Sequence, residues 1–187
     1  MKKGIVFLSI LVIILTSCKK EGNKNAIEII EVTPGNEQII SDKNVGYEST
    51  VLNVKFSDSR YNDVYKHYIH IKNALVNSDI EGAKVGAQNI GTAFANLGVD
   101  QVLMDEAYYI SSEDDLELQR EAFSVLGNEV TKILSKAHIA SGKIYKQYCP
   151  MAFDFKGAYW LSTEKEIRNP YFGDAMLKCG EVKEEIK

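Results

Sequence analysis

The sequence predicts a mainly α protein: an up-and-down bundle of three to four helices, closed at its C-terminal end by a short irregular or β-hairpin cap. Three observations point there. Apolar residues recur at steps of three and four between Tyr61 and Ala137, the period of helices that each bury one stripe. Capping and stop residues cut that stretch into segments with short connections, which favours antiparallel neighbours. From Lys143 onward the helical period fails and short extended runs take over. The chain has 187 residues, 45% hydrophobic and 26% charged, enough for one domain with a core. That composition excludes a wholly disordered chain, a collagen-like repeat and a polytopic membrane protein.

The N-terminus reads as an address. Met1-Lys2-Lys3 is a basic start, Gly4 to Leu15 is an apolar run, and Thr16-Ser17-Cys18 closes it with small residues before a cysteine. The run is short of the roughly 20 residues of a spanning helix. Leu15-Thr16-Ser17-Cys18 resembles a bacterial lipobox, which implies a lipoprotein signal peptide at 1–17 and a covalent lipid on Cys18. Lys19 in place of Asp favours the outer membrane, so the expected location is the cell envelope, lipid-anchored and facing the periplasm. Residues 18–58 are then a lipid-anchored tether, with weak extended segments at Ala26 to Val32 and Ser49 to Phe56.

The helical-bundle domain is expected over 59–187. Tyr61, Val64, Tyr68, Ile71 and Leu75 form the stripe of a first helix. Ser78 with Glu81 makes a capping-box pattern for a second, whose stripe is Ala83, Ala87, Ile90, Phe94 and Leu97 before Gly98 stops it. Gly82 and Gly86 inside that helix predict close approach of another helix. Val99 to Ile110 is ambiguous, with a short helix as one reading. Ser112 is expected to cap a longer helix carrying Leu116, Gln119, Phe123, Leu126, Val130, Ile133 and Ala137, ended by Gly142. Ile144 to Tyr148 and Gly157 to Leu161 then read as extended segments around a turn, with Trp160, Tyr171 and Phe172 as packing anchors of the cap.

Charge and motifs limit the function. Lys plus Arg number 22 against 26 Asp plus Glu, a net of -4, and losing Lys2 and Lys3 with the signal leaves 20 against 26, so -6. No basic surplus exists to neutralise phosphates, and nucleic acid is not an expected partner. No phosphate-binding glycine loop, nucleophile elbow, Cys-x-x-Cys, haem attachment motif or His-Glu-x-x-His occurs, so no enzyme is expected. His67 and His70, three apart on the first helix, read as surface residues, and His138 as a partner of a helix dipole. The acids between Glu113 and Glu121 suit a solvated helix start.

The chemistry concentrates near the C-terminus. With Cys18 assigned to lipid, two cysteines remain, and two of the three methionines after the initiator lie within three residues of them: Cys149-Pro150-Met151 and Met176-Leu177-Lys178-Cys179. Thiolate and thioether donors select soft ions such as Cu(I) or Ag(I), whereas zinc or calcium sites draw on imidazole or carboxylate. Cys149, Met151, Met176 and Cys179 are therefore a candidate metal set. Cys149 and Cys179 are equally a candidate disulfide, which in an exported domain would close a loop of about 30 residues and contribute roughly 3 to 4 kcal/mol. Both readings stay open.

Four runs carry a family resemblance: Tyr148-Cys149-Pro150-Met151-Ala152, Gly157 to Ser162, Glu166 to Asp174, and Met176 to Gly180. With Tyr68 to Asp79, Arg120 and Phe123, they resemble the DUF3347 family of bacterial domains over about residues 60 to 182. The resemblance implies a Bacteroidetes-type lipoprotein domain, also found fused to adaptors of copper and silver efflux pumps, with a heavy-metal role and efflux components as partners. The chain shows no adaptor barrel or long hairpin before the domain. The expected function is a periplasm-facing lipoprotein that binds Cu(I) or Ag(I) for sequestration or hand-over. The alternative is a disulfide-stapled, non-catalytic interaction module of the envelope.

Overall fold

A computed structural model describes residues 53–187. The signal segment, Cys18 and the tether as far as residue 52 lie outside the described residues. Strand β1 (Lys55–Phe56) leads into four helices, α1 (Ser59–Val76), α2 (Ile80–Leu97), α3 (Gln101–Ser112) and α4 (Leu116–Leu134). Strands β2 (Ile139–Ser141), β3 (Ile144–Cys149), β4 (Ala158–Ser162) and β5 (Glu181–Ile186) follow. Each helix packs on the next and α4 closes on α1, as the short connections require. The stripe positions Val64, Tyr68, Ile71, Leu75, Ala83, Ile90, Phe94, Phe123, Leu126 and Val130 form the core.

Helix boundaries depart from the sequence reading in instructive ways. Asp79, not Ser78, caps α2: its carboxylate accepts from the Gly82 N–H at 2.9 Å, and Ser78 is turned out at φ 54°. Asp115 likewise replaces Ser112 as the cap of α4, accepting from the Glu117 and Leu118 N–H groups. Ser112 instead ends α3, its hydroxyl donating to the Tyr109 carbonyl. The ambiguous stretch is therefore a full helix of 12 residues, buried along Leu103, Ala107 and Ile110. At each start a carboxylate within three residues of the serine takes the cap, where its charge also suits the positive helix end. Gly98 does stop α2, in the left-handed region at φ 77°.

The last helix stops at Leu134, eight residues short of Gly142. Residues Ile139–Ser141 pair antiparallel with Lys55–Phe56 instead, and Val54 and Phe56 are buried, so the folded unit already includes the end of the presumed tether. His138 accordingly sits beyond the helix, where its carbonyl accepts from the Ser57 N–H. Gly142 serves a close approach: a Cβ there would lie 1.8 Å from the Asn53 carbonyl oxygen.

The cap is a three-stranded antiparallel sheet in the order β4-β3-β5. The expected hairpin is β3 with β4, in a register that sets Gln147 against Trp160 and Cys149 against Ala158. The third strand, β5, had no sequence signal. Tyr68 of α1 pins the sheet to the bundle: its hydroxyl accepts from the Leu161 N–H at 3.1 Å and its ring stacks on Phe123 at 5.0 Å. Arg120, 5% exposed on α4, holds the loop that follows β4. Its guanidinium donates to the carbonyls of Pro170 (3.0 Å) and Leu75 (3.3 Å), to the Ser78 hydroxyl and to Glu117.

Gly86 marks a close approach of α2 to α1, since a Cβ there would meet the Ile71 Cγ1 at 2.8 Å and the Ile71 backbone N at 3.1 Å. Gly91, on the same helix, has nothing within 4 Å of that position. Urea denaturation should therefore show Gly91→Ala stabilising the fold by about 0.5–1 kcal/mol and Gly86→Ala destabilising it, although both raise helix propensity. Arg120→Met should cost about 2–4 kcal/mol in the same measurement, because the Pro170 and Leu75 carbonyls lose a buried donor; an unchanged midpoint would show that the clamp contributes nothing.

Candidate functional site

The site is built where β3 ends and β5 begins. Cys149 closes β3, wholly buried, its place fixed by pairing with Ala158. Cys179 lies two residues before β5 and is partly exposed. Their sulfurs are 2.9 Å apart. The sheet thus brings together the two thiols singled out in the sequence, across 30 residues of chain.

The methionines join them through the backbone. The Met151 N–H is directed at the Cys179 sulfur, and Met151 itself is exposed in the turn after β3. Met176 ends a 3-10 turn at Gly173–Ala175, and its carbonyl accepts from the Cys179 N–H at 3.0 Å. Beyond Met151 the chain makes a left-handed turn, with Phe153, Asp154 and Phe155 at φ 52°, 54° and 65°. Phe153 is held there edge-on to Tyr171, whose ring also packs on Trp160 and Phe123. The expected anchor roles of Trp160 and Tyr171 are met, and Phe172 packs against the core at its edge.

The electrostatics suit a resting thiol. The Cys149 side chain, followed by burial, pushes the Cys179 thiol up to about 11. A group held so far above neutrality is a poor nucleophile. Among the described residues no three or more His, Cys, Asp and Glu side chains gather as a metal-binding group. Of the two histidines read as surface residues, His70 is exposed, whereas His67 is half-buried on α1 with its pKa lowered, chiefly by burial.

The 2.9 Å separation can be set against known geometries. It is longer than the roughly 2.05 Å of a disulfide bond. It is shorter than the roughly 3.8 Å that separates two thiolates on one tetrahedral ion at about 2.3 Å from each. Oxidation would draw the sulfurs together, and a bound ion would spread them.

Two buried polar residues support the cap, and their burial went unread in the sequence. Asn169, fully buried, donates from its amide to the Cys179 carbonyl at 2.8 Å and accepts from the Tyr171 N–H at 2.8 Å. Lys72 of α1 is 1% exposed. Burial, and secondarily the Arg168 guanidinium, lower its ammonium to about 7, while Glu164 stands 3.8 Å from Nζ and has its own pKa raised, first by burial. Lys72 borders the apolar stripe of α1, one turn after Tyr68, and Asn169 lies in the loop after β4, which has no period of its own.

Lys72 makes the fold pH-sensitive in a defined direction. Between its folded pKa of about 7 and the ordinary 10.5, the unfolded chain holds a proton that the folded one has lost, so stability rises with pH across that window, and the loss on lowering the pH is complete by about 7. Cys179 works the other way, but only between 9 and about 11. Thermal melts from pH 7 to 9 should show stability rising by up to about 1.4 kcal/mol per pH unit, and Lys72→Met should flatten the profile. A flat wild-type profile would rule out this assignment.

A family model described as Protein of unknown function (DUF3347) matches residues 64–142, from the first turns of α1 through β2. The resemblance read in the sequence holds over that helical part, and the match ends before the segment with the Cys/Met motif. No curated protein and no solved structure matches the chain.

Proposed function

We propose that this domain, DUF3347-like in its helical part, is a non-catalytic, lipid-anchored protein of the cell envelope that binds a soft monovalent ion, Cu(I) or Ag(I), through Cys149 and Cys179. One observation carries the reading: the fold collects two thiols from segments 30 residues apart into contact at 2.9 Å, with the backbones of Met151 and Met176 both hydrogen-bonded to Cys179. Such a donor set favours a soft ion of low coordination number. Met151 and Met176 flank the pair, and Met151 is the exposed one at which an ion would arrive or leave. Sequestration or hand-over by ligand exchange needs no redox turnover, and the raised thiol pKa argues against a nucleophilic role. The attachment by Cys18, the outer-membrane location facing the periplasm and metal-efflux components as partners belong to the same proposal; they rest on the N-terminal pattern and the family resemblance.

The second reading is a disulfide between Cys149 and Cys179 stapling an interaction module. It is favoured by the direct contact of the two sulfurs at 2.9 Å, with no third ligand required to hold them together.

An anaerobic Cu(I) competition titration of the reduced full chain, beside Cys149→Ser/Cys179→Ser, separates the two. Metal binding predicts one-to-one affinity that vanishes in the double variant. That affinity should rise about tenfold per pH unit for each thiol proton displaced, with Cys179 contributing up to about pH 11. No affinity in the reduced chain, with a Cys149–Cys179 bond in protein isolated from the envelope, would replace the metal reading with the staple.

A further inference from the structure

The two halves of the thiol pair are held in different ways. Cys149 is fixed by strand pairing, whereas Cys179 lies outside any strand or helix. Its backbone is gripped on both sides. On one side its carbonyl takes the Asn169 amide at 2.8 Å. On the other, Gly180 stands at φ 143°, where a Cβ would lie 2.9 Å from both the Trp160 ring and the Tyr148 carbonyl.

Asn169 is committed at every polar position. Its N–H donates to the Leu177 carbonyl at 2.8 Å and its carbonyl accepts from the Gly173 N–H at 3.1 Å. Its side-chain oxygen takes the Tyr171 N–H, and its side-chain NH2 alone reaches Cys179. One buried residue therefore closes the loop from 169 to 179, which carries both Met176 and Cys179, into a ring. Tyr171, inside that ring, is anchored by its hydroxyl on the Tyr159 carbonyl and by its ring on Trp160. The loop is thereby tied to the strand that fixes Cys149.

We infer that Asn169 is the positioning residue of the thiol pair: its side-chain amide holds Cys179 against Cys149 and so sets the effective concentration of one thiol at the other. This rests on the two thiols acting as a pair and holds whether the pair takes an ion or forms a bond. Asn169→Asp is the selective variant. It keeps the acceptor for Tyr171 and replaces the donor to Cys179 with an oxygen that repels the carbonyl.

The test is the equilibrium of the full chain with glutathione, free of metal and air. In that exchange the two protein thiols are oxidised to a disulfide while one glutathione disulfide is reduced to two glutathione thiols, which take the two protons and two electrons. Peptide mass analysis after acid quench reads the Cys149–Cys179 pair separately from Cys18. The equilibrium constant should fall at least tenfold in Asn169→Asp, about 30 mV for this couple. Gln119→Ala removes a comparable buried amide, one that bonds the Ile80, Ile110 and Glu113 carbonyls away from the cap, and should leave the constant within twofold of wild type. A folded Asn169→Asp with the wild-type constant, or an equal fall in Gln119→Ala, overturns the inference. Should Asn169→Asp fail to fold, Asn169→Ser drops the same amide donor and carries the same comparison. Failure of the chain to bind Cu(I) would count against the metal reading alone, because no metal enters this equilibrium.

Discussion

The architecture depends on one buried cation. Arg120 projects from α4 into the place where α1 ends and the loop after β4 crosses it, and its guanidinium donates to the Pro170 carbonyl and adds a donor to the Leu75 carbonyl, which also accepts from the Ser78 N–H. An ammonium could not replace it, because the planar fork addresses several acceptors at fixed angles. Glu117 balances the charge from the exposed side, and Gly173 leaves the room, with a would-be Cβ only 2.9 Å from the guanidinium. Through this residue the position of the Asn-Pro-Tyr-Phe-Gly loop, and with it Cys179, is referred to the helical core.

Tyr68 performs the same service for the other half of the cap. It is part of the α1 stripe and also the acceptor for a β4 N–H, and Gly127 on α4 gives its hydroxyl space. Helices and sheet therefore share side chains and do not form separate layers. The thiol pair is brought together by this shared structure, with strand pairing at Cys149 and side-chain and backbone hydrogen bonds at Cys179 in place before any ligand or bond is added. Preorganisation of that kind lowers the ordering that binding would otherwise require.

What was readable in the sequence follows from what is local. The stripes of α1, α2 and α4 were legible because each position reports its own burial through a period of 3.6. The β3–β4 pairing was legible from two short apolar runs, and the cysteines from composition alone. Caps were misplaced by one to three residues at Ser78 and Ser112 because serine and aspartate compete for the same role within a turn. β5, Glu-Val-Lys-Glu-Glu-Ile, stayed hidden because an edge strand facing water carries charge where a central strand carries valine. Lys72, Arg120 and Asn169 entered the sequence reading only as members of family-like runs; their partners were unreadable, because they come from segments 45 or more residues away or from a loop with no period of its own.

The left-handed turn at Phe153 to Phe155 bears on how the domain tolerates change. Three successive residues with side chains hold a backbone that costs L-amino acids roughly 1–2 kcal/mol apiece. The ordinary hierarchy of substitutions is inverted there. Glycine and asparagine become the permissive exchanges at Asp154 and Phe155, and the β-branched residues that suit the adjoining strands become the damaging ones. Phe153 alone resists this inversion, since its ring against Tyr171 offsets part of the backbone cost. Sequence drift in this loop is therefore channelled, toward glycine and asparagine at two positions and toward conserved ring size at the third.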